Sequence, residues 1–233
     1  KQEDRTQPFE GASGVTHPLI VESVTQFQSQ AYKELLPAGG PVQTQILGKQ
    51  DAEVEAQANR VKDYLNYQIT EVMEEYDPEM DQLLFYLPMS GSTFKKVYFD
   101  ESKQRAVSTF VPAQDLVVPY AAADLQSASR VTHVLRMDYN QVRKMQVAGF
   151  FKDIELQASD AEPDEVRQKV DEIQGTSRTY QDEIYTLLEM HVDLDVEGFE
   201  DMSPDGEPTG IHLPYIVTLD EASGKVLAIR RNF

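Results

Sequence analysis

Glu189, His191, Asp193 and Asp195 fall at every second position of one segment, which in a β-strand turns all four toward one face. Carboxylate oxygens beside an imidazole suit a divalent cation such as Mg or Mn. The plainer expectation is the wet face of a half-buried strand, with Leu188, Met190, Val192, Leu194 and Val196 turned inward at the alternate positions.

A second oxygen-rich run, Asp201-Met202-Ser203-Pro204-Asp205-Gly206-Glu207, opens like a calcium loop, with oxygens at the first, third and fifth positions and Gly at the sixth. The pattern then fails, because His212 stands where a bidentate Glu belongs and prolines occupy 204 and 208. An acidic connection between strands is the expectation here. The four histidines suggest no nucleophile partner: His17 opens a helix, His133 sits on an apolar strand face as a core residue, and His212 lies near a strand start. Ser90-Gly91-Ser92 follows Pro88 and Met89 and lacks the strand–Gly-x-Ser-x-Gly–helix elbow. Neither a P-loop nor Gly-x-Gly-x-x-Gly is present, so nucleotide hydrolysis has no recognisable cradle. With no catalytic motif, the expectation is a protein that is not an enzyme and carries no cofactor.

The remaining charged constellation is a basic island. Leu83–Lys152 holds nine Lys/Arg against five Asp/Glu, in a chain whose net charge is −19. Asp51–Gln82 carries ten acids and two bases, and Asp153–Pro208 eighteen acids and three bases. Charge separated by segment can pair within a fold or between copies. Lys95 and Lys96 on a strand, Arg130 and Arg136 on another, and Arg143 and Lys144 on a helix carry the island. Duplex DNA is held through excess Lys/Arg and counterion release, which the acidic flanks oppose. Pairing with the acidic helices and loop, inside the subunit or across an interface, is the favoured reading.

The elements that must position these groups are legible from period and punctuation. Residues 1–15 read as a flexible lead-in and 16–233 as an α+β region, in a length that suits one large domain or two small ones. Pro18 starts a helix with Ile20, Val24, Phe27, Ala31 and Leu35 as its stripe, stopped by Pro37 and Gly39-Gly40. Gln43–Leu47 is a short strand candidate. Asp51–Tyr76 is the longest helix, with Val54, Val61, Leu65, Ile69, Val72 and Tyr76 expected inward. Asp77 caps the next helix, which Pro88 closes.

Thr93–Phe99 and Ala106–Val111 form a hairpin, and Asp115–Pro119 is a brief extended segment. Arg130–Met137 alternates, with Val131, His133, Leu135 and Met137 on one side and Arg130, Thr132 and Arg136 on the other. Asp138 and Gln141 form a capping box for a helix through Val147, with Gly149 as its stop. A charged helix over Pro163–Ile173 follows. Ile184–Val196 is a strand, and a hairpin over Ile211–Leu219 and Lys225–Phe233 closes the chain. Helices early and strands late indicate an α+β fold of N-terminal helices packed on antiparallel hairpins or a mixed sheet.

The chain has no cysteine, which excludes disulfides and thiolate chemistry. Its longest apolar run, Leu116–Ala123, is far short of the roughly 20 residues a membrane helix takes, so no membrane partner is expected. Lys1 in first place suggests a piece of a longer polypeptide.

Several long runs, in order, resemble the portal proteins of short-tailed double-stranded DNA bacteriophages: Leu19–Val42, Leu83–Asp100, Ser108–Tyr120, Arg130–Met137, Val142–Phe151 and Asp205–Phe233. No single short motif carries the likeness, which spans nearly the whole chain from Pro18 and is weakest over Gln157–Asp182. The resemblance implies a wing-like portion of a structural virion protein, assembled in the host cytoplasm, without the stem, clip and crown. It implies a ring, dodecameric in the family, at one capsid vertex, docking terminase, capsid or scaffold and tail adaptor proteins. Genomic DNA passes through such a ring during packaging and ejection without sequence-specific binding, and the ring itself hydrolyses nothing. Lys95, Lys96, Arg143 and Lys144 are then candidates for subunit–subunit contacts. Two other readings stay open: a metal-dependent enzyme domain using the Glu189/His191/Asp193/Asp195 face, and a generic capsid- or scaffold-binding module.

Overall fold

The computed structural model describes Phe9, residues 18–101, 103–156 and 184–232. The helix expected over Pro163–Ile173 and His17 lie outside the described residues. The described residues carry an α+β fold of four α-helices and seven strands, with two antiparallel sheets. The chain divides into two compact units, within residues 1–113 and 114–233.

In the first unit α1 (Leu19–Leu35) packs on α3 (Tyr76–Ser90) through the buried Val24 and Leu84. Asp77 does not cap α3 as expected. Its Oδ1 accepts the phenol of Tyr32 from α1, a bond that raises the Tyr32 pKa. Gln28 Nε2 likewise donates to Asp81 Oδ1 at 2.6 Å. Of the expected stripe Val24 is buried and Ala31 half-buried, while Ile20, Phe27 and Leu35 stay exposed. Pro88 does not end α3. It sits in the last turn, where little ladder remains to lose, and Gly91 at φ 78° supplies the left-handed cap.

α2 (Ala52–Tyr67) is capped by Asp51, whose side chain accepts the Val54 N–H, and it continues through a π turn at Gln68–Val72. The expected buried face is absent: no residue of α2 or of that turn is buried. Gln43–Leu47 forms no strand. No neighbouring strand pairs with this stretch, and Asn66 of α2 instead bonds the Val42 N–H and C=O at 2.9 and 3.1 Å. The hairpin of β1 (Thr93–Asp100) and β2 (Arg105–Pro112) forms in the expected place and packs on α3.

The second unit is an antiparallel sheet in the order β3 (Leu116–Val117), β4 (Arg130–Asp138), β5 (Ile184–Leu194), β6 (Leu213–Asp220), β7 (Val226–Arg231). Its core lies where α4 (Tyr139–Val147) and residues 150–156 cover one face at the β4 C-terminal end. Val142, Phe151, Tyr185, Leu187, Leu227 and Ala228 are buried there, with Leu135 and Met137 packed against them. The capping box is present: Asp138 accepts from Gln141 N at 2.7 Å, and Gln141 Oε1 accepts from Asp138 N at 3.0 Å. Gly149 follows at φ 78°.

Candidate functional site

Alternation along β5 places Tyr185, Leu187, Glu189, His191 and Asp193 on one face, so the core face and the chemically interesting face are the same. The expected division, wet odd positions and inward even ones, is therefore corrected. Leu188, Met190, Val192 and Leu194 are only half-buried, and full burial falls on Tyr185 and Leu187. On β4, Thr132 is buried although it was expected on the polar side.

Register brings His133 of β4 opposite Glu189, with Thr218 of β6 on Glu189's other side. His191 Nε2 lies 3.3 Å from Glu189 Oε1. Asp193 stands across from Pro214, and Asp195 lies past the end of β5. The four-residue row thus breaks into one Glu–His pair and two separate acids. Among the described residues no three His, Asp or Glu side chains gather where they could hold a metal ion.

In the 197–210 loop two of the three oxygen-bearing side chains of the calcium-like pattern, Asp201 and Ser203, serve the loop itself. Thr209 Oγ1 donates to Asp201 Oδ2 at 2.7 Å, and Glu207 N donates to Ser203 Oγ at 3.3 Å. Met202 and Pro208 bridge across it, and the Tyr215 hydroxyl donates to the Phe199 carbonyl at 3.4 Å. It is an acidic β-connection, stapled by its own side chains.

The basic island resolves into members with different partners. Lys95 is half-buried, with Nζ 3.8 Å above the Tyr76 ring. Burial pushes its ammonium down, against the pull of the Glu79 and Glu75 carboxylates. Lys96 lies 5.2 Å from the Tyr98 ring. Arg143 forms an ion pair with Asp153 and Arg136 one with Asp115 at 2.8 Å. Lys144 is exposed on α4. Of the four candidate contact residues, Lys95 is committed inside its own unit, Lys96 is half-buried beside Tyr98, Arg143 is neutralised locally, and Lys144 faces outward. His212 is exposed.

Sequence reasoning missed the best-organised polar cluster. Arg105 at the start of β2 grips Glu75 at two points, Nη2–Oε2 at 2.7 Å and Nη1–Oε1 at 2.8 Å. Glu75 Oε1 also accepts the Ser108 N–H, and Glu79 Oε2 the Phe110 N–H. The guanidinium holds the Glu75 carboxyl down at about 2. These carboxylates occupy the outer edge of β2, which would otherwise offer bare N–H groups. An acid pair at i, i+4 opening a helix was the available signal. Its partner, thirty residues on, was not.

No protein-family model and no curated relative matches the chain. Among the described residues no helix is long and apolar enough to cross a membrane.

Proposed function

We propose that this chain is a structural subunit of a phage portal, part of a ring at one capsid vertex through which duplex DNA is packaged and ejected. What carries the reading is the resemblance of six long runs between Leu19 and Phe233, taken together and in order. The physical chemistry is compatible with it. A net charge of −19 suits a conduit that DNA must slide past, since tight phosphate binding would stall translocation. Island bases meet acids of the flanking segments in Arg105–Glu75 and Arg143–Asp153, so part of the segmental charge stabilises the units themselves. Lys144 on α4 remains outward, placed for a heterologous contact of the kind that closes rings. A metal-dependent reaction at Glu189 and His191 gains no support, because a third ligand is missing among the described residues.

Negative-stain images of the protein in its natural full length test the proposal. Rings with a central hole are expected. Monodisperse monomers or dimers at micromolar concentration would overturn it.

A further inference from the structure

The hairpin of the first unit guards one of its edges and leaves the other open. On β2 the Ser108 and Phe110 N–H groups point away from β1 and are taken up by Glu75 and Glu79. In an antiparallel ladder, directly opposed residues turn their backbone groups either toward each other or both outward. Val97 stands opposite Ser108 and Lys95 opposite Phe110, so Lys95, Val97 and Phe99 hold N–H and C=O toward the outer edge of β1. Among the described residues no strand pairs with that edge, and no carboxylate or loop bonds the Val97 and Phe99 backbones there. The other sheet edges are defended. β3 is two residues long, and β7 gives its Leu227 carbonyl to the Lys152 N–H and ends in Arg230 and Arg231. β1 runs for eight residues, and Val97 is 67%, Phe99 59% and Tyr98 41% exposed. A long open edge with that surface is a site for strand addition.

The sequence of β1 says which strand fits. The outward groups sit on odd residues, so a second β1 laid antiparallel must bring odd opposite odd, and its twofold axis falls on a residue. Centred on Lys95 or Lys96, the pairing sets that lysine against its own copy. Centred on Val97, it sets Lys96 beside Tyr98 and Lys95 beside Phe99, with no acid for either. Centred on Phe99, it sets Asp100 against Tyr98 and Glu101 against Val97. Centred on Tyr98, it sets Lys96 beside the partner's Asp100, and Asp100 beside the partner's Lys96. Val97 then meets the partner's Phe99, with which it exchanges both backbone bonds, and Tyr98 meets its own copy. All three exposed apolar side chains gain cover in that register. Asp100 already stands across the hairpin from Arg105, and the partner's Lys96 adds a cation on its open side. The Lys95 ammonium stays over Tyr76 and takes no part.

We infer that β1 is a self-association strand, pairing antiparallel with β1 of a second copy of this chain about a twofold axis at Tyr98, so that two hairpins join into one sheet. The contact is isologous and joins copies in pairs; it cannot close a ring of many subunits. The inference therefore stands apart from the ring reading, and either can fail alone.

Sedimentation velocity on the 233-residue chain, from about 1 to about 100 µM, tests it. A monomer–dimer equilibrium is expected. Val97→Pro should leave only monomer with an unchanged far-UV circular dichroism spectrum, because it removes an outward N–H that the hairpin itself does not use. Lys96→Glu and Asp100→Lys should each weaken the dimer about tenfold, through like charges on both sides of the twofold. The double exchange Lys96→Glu with Asp100→Lys should restore it, since the reversed pairs are again complementary and the Tyr98-centred register is what sets them opposite each other. Amide exchange by NMR at about 100 µM adds a direct reading of the edge. Val97 and Phe99 should be protected in the wild type and more open in Lys96→Glu, while the Tyr98 amide, which points to β2, stays protected in both. A wild-type chain monomeric throughout would overturn the inference, and so would a dimer whose Val97 and Phe99 amides exchange freely. Single variants that pair as tightly as the wild type, or losses that the double exchange fails to restore, would overturn it as well.

Discussion

At the scale of single residues, the organising group is Glu75. Its carboxylate meets a guanidinium at two points and a backbone N–H at a third, so removing Arg105 leaves a half-buried acid with one weak partner. Arg105→Gln should destabilise the first unit by about 1.5–3 kcal/mol, the usual span for hydrogen bonds to a charged group, read by urea unfolding followed through tyrosine emission. The chain has no tryptophan to mask that signal. The pH dependence follows from the same geometry. The folded Glu75 titrates near 2 against an ordinary 4.5, so its contribution is complete above about 4.5 and is lost as pH falls toward 2. The Arg105→Gln variant should show a flatter loss over that window, and an equal slope in both proteins would refute the assignment. Leu187 marks the opposite extreme, with no exposed surface at the centre of the second unit's core. Leu187→Ala should cost about 2–5 kcal/mol in that unit, by chemical denaturation, and leave the Ser108 amide protection of the hairpin unchanged.

At the scale of elements, what could be read in advance was whatever is written locally. The capping box at Asp138 and Gln141, the β1–β2 hairpin and the β6–β7 turn over Asp220–Gly224 each depend on residues within a few positions of one another, and each formed where expected. Asp138→Ala should therefore weaken α4 by about 1 kcal/mol, and loosen Phe151 and Val142, which α4 presses onto Tyr185; exchange of the α4 amides would register it. Inward faces were harder. β5 alternates apolar and polar over its second half but begins with Tyr185 and Leu187 on the polar parity, so a period-two reading chose the wrong side. The cover from α4 and residues 150–156, which decides the matter, is a tertiary fact. Register hid the His133–Glu189 neighbourhood for the same reason, since those residues lie fifty-six positions apart. In α1 the stripe was used in part: Val24 and Ala31 are covered, and beside them the polar Gln28 and Tyr32 bond Asp81 and Asp77 of α3. In α2 the stripe was also real but only partly covered, with Val54 half-buried and Val61 and Leu65 exposed.

At the scale of the whole molecule, the charge map separates two kinds of electrostatics. Arg105–Glu75 lies within one compact unit, and such a pair responds weakly to salt. Lys144 has an outward ammonium, and a contact made through it between subunits would be screened over roughly 8–10 Å at physiological ionic strength. The proposed ring should therefore assemble more slowly as salt rises, through lost steering, without any matching change in the stability of the subunit. Lys144→Glu in the natural full-length protein should lower the assembly rate several-fold at low salt and converge on the wild-type rate in high salt, followed by light scattering. The same variant should leave the unfolding free energy, read by urea denaturation, within about 0.5 kcal/mol of wild type, as an exposed substitution does. Identical assembly rates at every salt concentration would remove α4 from the interface. DNA supplies the complementary control. With a net charge of −19, the assembled protein should not retain duplex fragments on a filter at physiological salt, whereas a protein that grips phosphates would retain them and release them steeply as salt rises. Retention of that kind would mean that the basic island serves nucleic acid rather than the subunit and its neighbours.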